Sequence, residues 1–243
     1  MKRKIVWTIA IVTGIFLILN IKTHTKQGID RHVRVYRIPL YIKIIEFIDR
    51  DYRYKMLAQE ITGSDKNEKA KVMSIFQWVR KNIKTDIPDD WSLYDDHIHN
   101  TIIRGYGTPD QISDVFNILC MYSKIPAGRI TVFIPGNGKG LVLSLVKINK
   151  KWCVFDAYRG VYFLNNNKEI ASVEDLKSKK YGDKKPYEHI SGTELTYDDY
   201  FQYIDQYVED ITRRPRLQMP TKRILYEIKD MFLKDRDQNT CQE

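Results

Sequence analysis

The chain has 243 residues, which fits one globular domain and an appendage but not two full cores. Hydrophobic residues at 43%, aromatics at 12% and only 12 Gly with 8 Pro provide a real core and exclude disordered, collagen-like and low-complexity classes. Three Cys with no Cys-x-x-Cys pair exclude a disulfide scaffold and a structural zinc motif. The net charge of +9, three units of it at Lys2, Arg3 and Lys4, suits a surface near anionic lipid or polymer.

Ile5 to Ile21 is uncharged and almost wholly apolar, and at ~1.5 Å per residue it reaches about 26 Å, near the thickness of a bilayer's hydrocarbon core. No Ala-x-Ala-like cleavage site follows it, so residues 1–24 are expected to be a basic cytoplasmic tip and an uncleaved transmembrane anchor. The basic tip then places the body in the periplasm or outside the cell. Residues 25–63 are expected to be a juxtamembrane helical segment, with a helix over 39–50 that starts at Pro39.

Asp65 with Glu68 forms a capping pair, and Val72, Ile75, Phe76, Val79 and Ile83 follow at helical spacing, predicting a helix that faces the core. After a polar stretch, Thr108-Pro109-Asp110-Gln111 opens a second helix: Thr caps, Pro occupies the first turn where its missing N–H is harmless, and Gln111 closes the capping box. Its buried stripe is Ile112, Val115, Phe116, Leu119 and Cys120.

Strand patterns follow at 129–135, 141–148, 152–156 and 161–164, separated by turn residues, and predict an antiparallel sheet. Thr196 with Asp199 opens a helix with Phe201, Ile204, Val208 and Ile211 inward. Another follows Pro220 on Ile224, Leu225, Ile228 and Phe232. Helices, then sheet, then helices make an α+β plan, with a core over 64–182 and a C-terminal helical extension over 183–243.

Three stretches together resemble the transglutaminase-like, papain-related superfamily. Glu68 through Asn82-Ile83 looks like its first helix. Arg104-Gly105-Tyr106-Gly107 through Ile125-Pro126-Ala127-Gly128-Arg129 looks like its nucleophile loop, the helix behind it and the start of the sheet. Lys151 through Asp156 looks like the strand that ends in the triad acid. The 105–111 segment is most similar to forms found among bacterial envelope and polysaccharide-cluster proteins.

The resemblance implies a Cys at a helix N-terminus, where the dipole favours the thiolate, with a His and an Asp to serve it. On this alignment Pro109 stands at the Cys position and Leu141 near the His position, and no His occurs between His99 and His189. Asp156 alone matches the triad, so no catalytic set is intact. Cys120 reads as a core residue and Cys153 as a residue of the opposite sheet face from Asp156, with a disulfide between them possible; Cys241 reads as an incidental exposed thiol.

Asp95, Asp96, His97 and His99 form the densest polar cluster, which reads as a polar connection, with a transition-metal site as the alternative. Residues placed in or beside the cleft, namely Trp91, Tyr106, Asp110, Gln111, Asp156 and Tyr158, are candidate binding residues, with a glycan or peptide as ligand. The basic run at Arg213, Arg214 and Arg216 reads as a solvated face, with lipid headgroups or an anionic glycan as the alternative.

The expectation is therefore a membrane-anchored, catalytically degenerate transglutaminase-like protein that binds or scaffolds, in surface polysaccharide biosynthesis or export. An active hydrolase or acyltransferase with a relocated site is the alternative. Expected partners are membrane lipid through residues 5–21 and an envelope protein complex or glycan. No cofactor motif and no nucleic-acid signature is present.

Overall fold

The structure is a computed structural model describing residues 2–27, 34–64, 67–88, 97–136, 138, 140–204, 211–223 and 225. Its centre is an antiparallel four-stranded sheet in chain order: β3 (Ala127–Phe133), β4 (Gly140–Ile148), β5 (Lys151–Asp156) and β6 (Val161–Tyr162). Side chains alternate across a strand, so each contributes to two cores. Ala127, Val146, Ile148, Cys153 and Phe155 join the first, and Ile130, Leu141, Leu143, Leu145 and Val154 join the second.

The first core lies under three helices, α2 (Leu40–Thr62), α3 (Glu68–Asn82) and α5 (Pro109–Tyr122). Both stripes expected from sequence are buried, Val72, Ile75, Phe76 and Val79 on α3 and Ile112, Val115, Phe116, Leu119 and Cys120 on α5. Phe76, Phe116 and Phe155 meet pairwise with ring centroids 5.3–5.7 Å apart, tying both helices to the sheet. Tilted and edge-on rings at this range add about 0.5–1.5 kcal/mol per pair beyond burial.

The second core is covered by α6 (Val173–Lys177), α7 (Tyr197–Phe201) and residues 211–216, the last four of them helix α8 (Arg213–Arg216). Gly128 permits this approach, because a Cβ there would stand 1.9 Å from the carbonyl oxygen of Ile211. Ile204 and Ile211 are buried as expected, but the expected helix is corrected: α7 ends at Phe201, and both residues lie beyond it; Val208, Ile224, Ile228 and Phe232 lie outside the described residues, and Leu225 is exposed.

Several expected boundaries are corrected. The α3 cap is Asn67, whose side chain accepts the Lys69 N–H at 2.9 Å, and Asp65 lies outside the described residues. Residues 25–63 are not all helical: β1 (Lys22–Gln27) and β2 (Arg34–Pro39) pair as an antiparallel ribbon before α2, which runs well past the expected end at residue 50. The polar connection before the second helix contains α4 (Ile98–Arg104), closed by Gly105 in the left-handed region at φ 74°.

The apolar N-terminal stretch forms α1 (Lys2–Leu19), but no helix among the described residues is long and apolar enough to cross a membrane. The expected span at 5–21 is corrected accordingly. The first three helical residues are charged, and the helix ends at Leu19, where the Asn20 side-chain amide donates to the Phe16 carbonyl at 2.8 Å. The uncharged helical part, Ile5 to Leu19, reaches only about 22 Å against a hydrocarbon core of about 30 Å.

Candidate functional site

Pro109 is the first residue of α5, half-buried, and the turn before it is closed on itself. Gln111 accepts the Thr108 backbone N–H at 3.2 Å and a second hydrogen bond from the Arg104 guanidinium, and the Thr108 hydroxyl donates to the Asp110 carboxylate. The capping box expected from sequence is formed. The donors of the helix N-terminus thus serve the chain itself.

Behind this turn a line of alternating charges runs along α5. Asp110 pairs with Arg129 Nη1 at 3.0 Å, Arg129 Nε lies 3.5 Å from Asp114, and Asp114 pairs with Arg214 Nε at 2.7 Å. Burial raises the Asp110 pKa, but the Thr108 hydrogen bond and the Arg129 charge outweigh it, so the carboxyl titrates below its ordinary value. The line joins α5, β3 and α8, holding the C-terminal segment over the sheet.

Leu141 and Asp156 share one sheet face. Leu145 is paired with Val154, and two-residue alternation carries that face to Leu143 and Leu141 on β4 and to Asp156 on β5. Leu141 is buried in the second core beside residues of α7, including Tyr197 and Phe201. Asp156 is 0% exposed and fully engaged: Oδ1 accepts the Arg159 backbone N–H at 2.9 Å, and Oδ2 accepts Arg159 Nη1 at 3.0 Å and the Tyr197 hydroxyl at 2.9 Å.

The Asp156 carboxylate thus holds a phenol. Burial first, then the Asp156 charge and hydrogen bond, push the Tyr197 pKa up, so this phenol is a proton donor to Asp156 and not a base. Tyr197 is itself fixed by Phe163, 4.9 Å away edge-on.

Of the other residues expected to bind, Tyr106 is 8% exposed, with the Arg104 guanidinium 5.6 Å from its ring centroid, and Gln111 is 2% exposed. Tyr158 is half-buried with Arg159 5.5 Å from its ring centroid. Trp91, Asp95 and Asp96 lie outside the described residues. His99 meets Tyr54 edge-on at 6.2 Å, and among the described residues no group of three or more His, Cys, Asp or Glu could hold a metal ion.

Both described thiols are free and buried, which corrects the possible disulfide. Burial pushes the Cys120 thiol far above its ordinary range. Burial and the nearby Asp175 push that of Cys153 up to about 12, so neither thiol supplies a nucleophile near neutral pH. Arg159, Tyr197 and Arg214 were not foreseen as parts of the site. Tyr197 in particular lies 41 residues from Asp156, with no local signal linking them.

Residues 55–157 match the model of the transglutaminase-like superfamily core. Among solved structures, the chain is similar to a candidate protease of Parabacteroides distasonis ATCC 8503, at 18% identity over 55% of this chain and 35% of that one, with a TM-score of 0.37. It is also similar to a candidate cysteine protease of Cytophaga hutchinsonii, at 23% identity over 54% and 45% of the two chains, with a TM-score of 0.38. The chain thus spans less than half the length of either. No curated protein matches it.

Proposed function

We propose that the protein, whose residues 55–157 match the model of the transglutaminase-like superfamily core, is a catalytically inert form of that core, attached to a membrane and acting by binding or scaffolding. The observation that supports the inertness is that Asp156, the residue that resembles the triad acid, is buried with both oxygens engaged by Arg159 and Tyr197; the sequence alignment adds Pro109 and Leu141 at the other two positions. Neither a prolyl ring nor an aliphatic side chain can attack an acyl carbon or accept a proton. The burial of both described thiols speaks against a relocated cysteine.

Membrane attachment is supported by α1, whose apolar side chains are exposed around the whole helix, Ile5, Trp7, Val12, Phe16 and Ile18 each by more than half. A helix with no polar side gains nothing from water and is stabilised where hydrocarbon surrounds it. The likeness of residues 105–111 to envelope and polysaccharide-cluster proteins supports a setting in surface-polysaccharide assembly.

The test is an assay of peptide hydrolysis and of glutamine–amine acyl transfer with the full chain and with Asp156→Ala. The expected result is no turnover by either. Turnover by the native chain that Asp156→Ala abolishes overturns the inert reading. Membrane attachment is read by alkaline extraction of expressing cells, and protease protection of sealed vesicles reads the side of the body.

A further inference from the structure

The net charge is unevenly distributed. Residues 1–45 hold nine Lys or Arg and a single acid, Asp30, and so carry +8 of the chain's +9, while the other 198 residues are nearly balanced. The same segment contains α1 with its exposed apolar surface, so the two unusual features of the protein, surplus cation and unburied hydrocarbon, coincide.

The fold gathers part of this charge at one point. The Leu40 N–H donates to the Ile21 carbonyl at 2.9 Å, pinning the start of α2 to the exit of α1. The ribbon register sets His24 opposite Arg37, whose Nε donates to His24 Nε2 at 3.2 Å, and Lys22 lies two residues before His24 on the same ribbon face. Lys43, on the first turn of α2, donates to the His24 carbonyl at 3.4 Å. Beside these cations α2 turns Tyr41, Ile45, Ile48 and Tyr52 outward at spacings of three and four, each at least 39% exposed, which is one apolar stripe.

We infer that Lys22, Arg37 and Lys43 bind the headgroups of an anionic phospholipid leaflet in which α1 and the outward stripe of α2 are seated. The inference rests on the membrane attachment proposed above and adds its lipid class and the residues that select it. A cation held beside an anionic leaflet raises partitioning about fivefold, and hydrocarbon next to it gives the apolar surface a place to go. Nucleic acid offers the phosphates but no hydrocarbon, and a second copy of this chain would bring +8 against +8.

The experiment is flotation of the full chain with vesicles of phosphatidylcholine alone and of phosphatidylcholine containing phosphatidylglycerol, repeated with a K22Q/R37Q/K43Q triple variant whose fold is checked by circular dichroism. The native chain should favour the anionic vesicles by about a hundredfold at low salt, an increment that salt screens. The triple variant should lose most of that increment and keep its affinity for neutral vesicles. Equal affinity of the native chain for both vesicles, or an unchanged increment in the triple variant, overturns the headgroup assignment and leaves the attachment standing. Failure to bind either vesicle overturns both, as does self-association in place of vesicle binding.

Discussion

The core around the four-stranded sheet and the N-terminal arm solve opposite problems. In the core the sheet is covered on both faces, Phe76, Phe116 and Phe155 are almost wholly buried, and Asp156 has a partner for each oxygen. In the arm, apolar side chains of α1 and cations of the ribbon face outward with little of the protein around them. The core is held by its own contacts, whereas the arm leaves its apolar side chains uncovered. A perturbation of one should leave the other's signal nearly untouched.

The largest expected effect breaks the arm. Ile11→Asp with Ile15→Asp places two carboxylates in the middle of α1, at about 3 kcal/mol each against hydrocarbon, and should lower vesicle affinity by more than a thousandfold. The thermal midpoint of the core should be unchanged, as read by near-ultraviolet circular dichroism. A parallel drop in that midpoint would mean that α1 belongs to the core after all.

Breaking the core reverses the pattern. Phe116→Ala removes a ring in contact with both Phe76 and Phe155 and should cost about 3–5 kcal/mol in urea unfolding without weakening vesicle binding. Arg159→Ala leaves the buried Asp156 with only the Tyr197 hydroxyl and the Arg159 backbone, and should cost about 3 kcal/mol. Asp156→Asn retains hydrogen bonding and should cost less; equal losses for the two would assign the Arg159 effect to lost packing and not to an unpaired charge.

A smaller effect tests the clamp over the second core. Gly128→Ala would set a methyl 1.9 Å from the Ile211 carbonyl oxygen, so residues 211–216 must shift and the Asp114–Arg214 pair must loosen. The expected cost is about 1–3 kcal/mol, with faster tryptic cleavage after Arg213 or Arg216 as the local readout. Unchanged proteolysis would show that the C-terminal segment is held without β3.

How far each region could be read from sequence follows from the range of its interactions. α3, α5 and the sheet are written in local codes, in the 3.6-residue spacing of Ile112, Val115, Phe116 and Leu119 and in the Thr108–Gln111 box, and these appear in the structure nearly where expected. The ribbon was missed because its cations and Thr residues form no apolar alternation, and α4 because its seven residues are too few and too polar to show a period. The phenol and guanidinium that engage Asp156 were not legible, because nothing near residue 197 records which strand end it will meet. The arm's apolar run was visible, but its helical reach was overestimated, because Asn20 ends the helix two residues before the apolar run ends.

The smallest expected effect concerns acid. Asp110 has a folded pKa below its unfolded value of about 3.9, because Thr108 and Arg129 favour the carboxylate more than burial disfavours it. Its contribution is therefore complete above the unfolded value and is lost as pH falls through the folded one. The Asp110 side chain is 38% exposed, so solvent screens the pair and the contribution belongs in the range of about 0–1 kcal/mol. Asp110→Asn should lower stability slightly at neutral pH and flatten the acid limb of the stability curve below pH ~4, measured by urea midpoints across that range. A variant whose acid limb stays as steep as the native one would move the acid sensitivity elsewhere, with Asp198, held low by Lys179 and Tyr181 against the opposing effect of burial, as the next carboxylate to replace.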